Sequence, residues 1–277
     1  MMDFFWRLLG YAKTSFYSHN CSITLPAKDG NPATNLLDFC KKITPDCKLN
    51  PLLFNGHLQT FWTAVRSYDI PIYYRRRIFH AEDSAFAGTF AVDFVVPPYD
   101  GDDAALPPRT TYYEDTEVER IGSSDSRPML VTLHGLSGGS HEIYLRHVLR
   151  PIVENGWEAC VINSRGCAKS KITTPVLYNA RATWDIRQII RWLRKTFPNR
   201  PFFGIGYSLG ANILVNASLP IQYIGEEGEA CELKAAVVCS NPWNLDVSSM
   251  ALQRTWLGME VYQRTMGSSM KSLFEMS

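Results

Sequence analysis

The chain changes character near residue 127. From there, short apolar runs alternate with stretches in which apolar side chains recur every three or four positions. Met129-Leu130-Val131-Thr132-Leu133 is apolar without regular alternation, which suits a strand buried on both faces. Ile143 to Val153 has helical spacing, allowing for Pro151, and Glu158 to Asn163 predicts the next strand through Ala159, Cys160, Val161 and Ile162. Asp185 to Phe197 sets Ile186, Ile189, Ile190 and Leu193 on one stripe, with Arg187, Arg191, Arg194 and Lys195 opposite, as in a helix with one buried face. Phe202–Tyr207 predicts a third strand, Leu209–Leu219 a third helix and Leu233–Cys239 a fourth strand. Strand alternating with helix predicts an α/β fold, a mostly parallel sheet with helices on both faces.

The earlier part of the chain is less regular. Ile78, Phe86, Phe90, Val92, Phe94 and Val96 alternate partially, which predicts strands within 67–127, and the polar stretch from Pro97 to Pro108 predicts a loop. Residues 1–66 predict a helical and loop-rich lead-in, punctuated at Asn31-Pro32 and Asn50-Pro51. Two domains follow: the lead-in 1–66 and an α/β domain 67–277. Within the second, 247–277 predicts the start of a helical cap or lid carrying Met250, Leu252, Trp256, Leu257, Val261 and Tyr262.

In the first twenty residues, Phe5, Leu8, Leu9, Ala12 and Phe16 fall at helical spacing. Arg7 and Lys13 break the run, which is too short to span a bilayer, and Asp3 argues against a secretory leader. The expectation is an amphipathic helix that packs on its own domain or touches a lipid surface such as a droplet.

Composition narrows the function. Lysine and arginine number 28 against 27 acidic residues, a net charge of +1, so no electrostatic footprint for nucleic acid exists. Seven cysteines, with no CxxC pair, predict free thiols in a reducing, cytoplasmic setting rather than a zinc site. The sequons at Asn20 and Asn216 carry no expectation of a glycan without a secretory signal. No cofactor is implied.

The sharpest chemical feature is Gly206-Tyr207-Ser208-Leu209-Gly210, between a predicted strand and a predicted helix. That context is a nucleophile elbow, with Ser208 on a strained turn and glycines where strand and helix cross. His134-Gly135-Leu136-Ser137-Gly138-Gly139 follows the 129–133 strand. Acyl transfer places negative charge on a tetrahedral oxygen, which two preorganised N–H groups can stabilise. Leu209 and Leu136 are the expected donors. His134 is expected to shape this loop rather than act as base.

Serine needs a base and an orienting acid, in the chain order Ser, acid, His. All six histidines precede Ser208, and the least unsuitable downstream acid is Asp246, after the fourth strand. The expectation is therefore a hydrolase lacking its last strands, with the Leu233–Cys239 strand left as an apolar edge. The alternative is an inactive fragment or an acyl-binding protein.

Several motifs carry a family resemblance. They are Phe54-Asn55-Gly56-His57-Leu58-Gln59-Thr60, the His134–Gly138 loop, Asn163-Ser164-Arg165-Gly166-Cys167, Tyr178-Asn179-Ala180-Arg181-Ala182-Thr183-Trp184-Asp185, Gly204 to Asn212 and Ser240-Asn241-Pro242-Trp243. Together they resemble α/β-hydrolase family 4 from about residue 50 onward. The resemblance implies a serine esterase or alcohol acyltransferase acting on medium-chain fatty acyl esters or acylglycerols, with small-molecule ester and alcohol substrates. It transfers the nucleophile role to Ser208.

Overall fold

The computed structural model describes all residues except 1–9, 22, 27–31, 67, 216–222 and 276–277. The chain divides into two compact units, 1–68 and 69–277. In the first, Tyr11–Ala12 pairs antiparallel with Cys47–Lys48, and Thr24–Leu25 with Thr34–Asn35. Its helices Leu36–Ile43 and Gly56–Val65 are capped by Asn35 and Asn55, whose side chains accept from Leu37 N–H and Leu58 N–H. The predicted amphipathic helix does not continue through its C-terminal half. Tyr11–Ala12 is drawn into a strand pair and residues 13–19 have no regular structure, while positions 1–9 lie outside the described residues.

The second unit is built on a seven-stranded sheet. Its strands are β1 (Tyr73–His80), β2 (Thr89–Val96), β3 (Thr110–Tyr112), β4 (Met129–Leu133), β5 (Glu158–Asn163), β6 (Phe202–Tyr207) and β7 (Leu233–Cys239), in the spatial order β7-β6-β4-β5-β2-β1-β3. β7, β6, β4 and β5 run parallel to one another, and β2 pairs antiparallel with both β5 and β1. The four predicted parallel strands form at the predicted bounds; β4, β5 and β6 are apolar runs largely buried in the sheet, while β7 lies at its edge with Val237 exposed.

Helices α1 (Ile143–Glu154), α2 (Trp184–Thr196) and α3 (Leu209–Val215) cover the sheet. Leu145 and Leu149 of α1 pack on one face against Leu130, Ala159, Val161 and Ile205. On the other, Ile186, Ile189, Ile190 and Leu193 of α2 and Ile213 and Leu214 of α3 meet Met129, Val131, Leu133, Cys160 and Ile162. Adjacent residues of β4 and β5 thus serve opposite cores, as period-two strands require. Each fully buried aliphatic side chain of α2 contributes about 1.5–3 kcal/mol of hydrophobic stabilisation. The predicted third helix runs as far as Val215, and its expected last turn falls outside the described residues.

After β7 the chain forms α4 (Leu245–Gln253), a π-helical turn at Gly258–Gln263 and α5 (Arg264–Glu275). Trp243, Val247, Met250 and Trp256 are exposed there, as is Val237 on β7. All seven cysteines are unpaired. No helix among the described residues is long and apolar enough to cross a membrane.

Candidate active site

Ser208 occupies the bend from β6 into α3 with φ 49°, a left-handed conformation that costs a non-glycine residue about 1–2 kcal/mol. Its N–H donates to the Cys239 carbonyl at 2.9 Å, so the end of β7 holds the bend in place. The residue is exposed. Behind it the packing admits no side chains. A carbon on Gly206 would lie 2.7 Å from Ala211 Cα, and one on Gly210 would lie 2.7 Å from the Leu133 carbonyl oxygen. The elbow therefore rests on the end of β4, the strand that feeds the glycine-rich loop.

That loop faces the elbow. A carbon on Gly135 would sit 3.5 Å from Ser208 Cβ and 3.5 Å from the Tyr144 hydroxyl oxygen. Most of the loop's amides are already committed. Gly135 N–H donates to the Tyr144 oxygen at 3.0 Å, Ser137 N–H to the Tyr178 oxygen at 2.9 Å, and Gly138 N–H to the Gly135 carbonyl at 3.2 Å. The N–H groups of half-buried Leu136 and buried Gly139 have no hydrogen-bond partner among the described residues, and Leu136 is the one next to Gly135, which abuts Ser208. Leu209 opens α3, where the first N–H groups of a helix lack intrahelical acceptors.

His134 is buried and committed at both ring nitrogens. Nδ1 lies 2.6 Å from the Gly135 carbonyl, which can only accept, so Nδ1 carries the proton. Nε2 accepts from Ser164 N–H at 3.0 Å. Burial pushes the imidazole pKa down to about 4. Such a ring braces the loop and has no lone pair to offer Ser208. Because an unfolded histidine titrates near 6.5, the unfolded chain takes up a proton that the folded chain refuses as pH falls below that value. Stability is expected to drop between about pH 6.5 and pH 4 by up to about 3 kcal/mol from this residue. His134→Gln should flatten that part of the profile, read from urea midpoints at pH 7, 5.5 and 4.5.

A buried ionic network holds the far end of the loop. Arg76 and Asp93, from β1 and β2, form a bidentate pair at 2.7 and 2.8 Å with both side chains inaccessible to solvent. The Asp93 carboxylate also accepts from Ser140 Oγ at 2.5 Å and Asn163 Nδ2 at 2.8 Å, while Asn163 Oδ1 accepts from Ser140 N–H at 2.9 Å. Tyr74 donates its hydroxyl to the Ser140 carbonyl at 2.9 Å. Every polar group of Ser140 is thus engaged by β1, β2 or β5. Nearby, Arg165 makes a second bidentate pair with Asp185, at 2.9 and 2.7 Å, and donates to the carbonyls of Phe86 and Ala87.

Ser208, Leu136 and Leu209 lie around the elbow and the facing loop. Asp246 does not join them: it is exposed in the first turn of α4 and contacts none of the three. Among the described residues no group of three or more His, Cys, Asp or Glu side chains could hold a metal. The supports that sequence reasoning missed are Arg76, Asp93, Tyr144 and Ser140. Asn163 and Tyr178 stood inside motifs quoted above, without a role.

Residues 128–220 match the family model described as alpha/beta hydrolase fold, and the matched segment contains both the loop and the elbow. The chain belongs to the α/β-hydrolase family. It is 37% identical over 241 residues to a monoacylglycerol lipase of Saccharomyces cerevisiae, a match covering 79% of this chain and 51% of that protein. It is 32% identical over 280 residues to medium-chain fatty acid ethyl ester synthase/esterase 2 of the same yeast, covering 88% of this chain and 60% of that protein. With human phospholipase ABHD3 it shares 28% identity over 232 residues, covering 83% and 50% respectively. This α/β-hydrolase chain spans about half the length of those relatives.

Proposed function

We propose that this chain carries the nucleophile and oxyanion hole of a serine carboxylic ester hydrolase acting on medium-chain fatty acyl esters or acylglycerols. The observation that carries the reading is the exposed, left-handed Ser208 beside a loop whose Leu136 N–H is uncommitted. In the reaction, Ser208 Oγ attacks the ester carbonyl carbon and its proton passes to a general base. The carbonyl oxygen takes the negative charge between the N–H groups of Leu136 and Leu209. The tetrahedral species then collapses, the base protonates the departing alcohol, and an acyl-Ser208 ester remains. Water, or a second alcohol in ester synthesis, attacks that ester by the reverse steps and frees the serine.

No base or acid for Ser208 is assigned within residues 1–277. No histidine follows Ser208 in this sequence, and His134 is engaged at both nitrogens. The names of the two yeast relatives support acyl esters as the substrate class. The exposed Trp256 and Leu257 add apolar surface suited to acyl chains. The same lack of a downstream histidine favours a second reading, an acyl-binding protein that turns nothing over.

Fluorophosphonate labelling separates the two. The phosphorus bonds to Ser208 Oγ with loss of fluoride, and peptide mass mapping is expected to find the adduct on Ser208. A folded version, extended downstream to supply a base, that stays unlabelled and inert toward p-nitrophenyl octanoate would leave only the binding role.

A further inference from the structure

We infer that Tyr144 is a third oxyanion donor, its phenolic O–H reaching the substrate oxygen that becomes charged when Ser208 attacks. The inference rests on the hydrolase reading above and adds a catalytic residue to it.

The argument starts from the space over Gly135. The side chain that Gly135 lacks would have stood 3.5 Å from Ser208 Cβ and equally 3.5 Å from the Tyr144 oxygen. The hollow left by that missing side chain is thus walled by the nucleophile on one side and the phenol on the other. An acyl oxygen that enters this hollow beside Ser208 comes within reach of the phenol. Gly138 repeats the pattern: a carbon there would lie 3.3 Å from the same phenol oxygen. The hydroxyl lies beside two of the loop's three glycines, Gly135 and Gly138.

The orientation of the phenol's proton follows from its hydrogen bonding. Tyr144 accepts from Gly135 N–H at 3.0 Å, which occupies a lone pair and directs the O–H elsewhere. Among the described residues, no acceptor takes that proton. The ring is fixed by packing on Tyr207, the neighbour of the nucleophile, with centroids 4.8 Å apart, yet Tyr144 remains 36% exposed and open to a ligand. The ionisable groups that face it are Tyr207, Glu142 and Cys167. Burial, aided by Glu142 and Cys167, raises the phenol pKa to about 12, so the group keeps its proton at working pH. Tyr178, the other phenol on the loop, differs. It accepts from Ser137 N–H, and its hydroxyl faces Met270 of α5 and Cys167, away from a free hollow.

Tyr144→Phe alone would remove both the proposed donor and the acceptor for Gly135 N–H. Fluorinated tyrosines at position 144 keep the ring and oxygen while ionising at progressively lower pH. A phenolate can still accept from Gly135 but has no proton to donate. The experiment measures the rate constant for fluorophosphonate labelling of Ser208 against pH. It compares wild type, Tyr144→Phe and the fluorotyrosine series, with thermal melts as the folding control. Tyr144→Phe is expected to slow labelling about 100-fold, the typical cost of one lost oxyanion donor. In the fluorotyrosine series the rate should fall on the alkaline side along a limb that moves to lower pH with each added fluorine. Unchanged labelling in Tyr144→Phe overturns the inference. So does an alkaline limb indifferent to fluorination, which would leave the phenol only its support of Gly135. A wild type that never labels defeats the hydrolase reading and this one with it, whereas a labelled wild type matched by Tyr144→Phe removes Tyr144 alone.

Discussion

Ser208→Ala is expected to abolish covalent labelling and to lower ester turnover by several orders of magnitude, up to about 10⁶ where the general base is in place. The same position makes a prediction about stability that separates nucleophile from scaffold. In a helix interior glycine is less stable than alanine by roughly 0.5–1 kcal/mol. At φ 49° the preference inverts, since a β-carbon is what makes that conformation costly. Ser208→Gly should therefore be more stable than Ser208→Ala by about 1 kcal/mol, or about 2–4 °C in Tm for a domain of this size. Both variants should be equally inactive. An alanine variant that melts above the glycine variant would show that the bend is unstrained.

The largest stability effect is expected at Asp93. Asp93→Ala leaves Arg76 buried without its counter-charge and is expected to cost about 3–5 kcal/mol. That is a large fraction of the total stability of an ordinary domain, which is about 5–15 kcal/mol. It also frees Ser140 and one Asn163 contact, so fluorophosphonate labelling should slow even at temperatures where the protein stays folded. Replacing both partners with apolar residues, Arg76→Met with Asp93→Leu, should recover much of the loss, because the penalty comes from the orphaned charge more than from the missing attraction. Urea denaturation of the two single variants and the double variant tests this. A double variant as unstable as the sum of the singles would contradict it.

The fold was readable where a single force acts. β4, β5, β6 and β7 are mostly apolar runs, and their bounds follow from the sequence pattern. β3 was not readable. Thr110–Tyr112 is three residues long, directly after a polar loop, and it forms because β1 offers it a parallel edge. The same limit explains Arg76. In Tyr73–His80 three successive arginines look like a solvated strand, yet only Arg75 and Arg77 remain partly accessible while Arg76 is fully buried. Its partner lies on the next strand, and the pairing exists only once Arg76 and Asp93 are placed in register. Of the active site, the elbow and the loop could be located from spacing. Which loop amides are left unbonded could not, because the answer depends on two phenols that arrive from α1 and from the stretch before α2.

The strand order has a consequence for how the chain is made. β4 leaves the ribosome with β5 soon behind it to cover one edge. Its other edge must wait for β6, which begins at residue 202, and synthesis at about 5–20 residues per second makes that a delay of seconds. In that interval the nascent polypeptide displays a bare apolar strand beside an incomplete core. Chaperone capture should therefore peak on chains stalled between these two strands and fall once the elbow has closed over the gap.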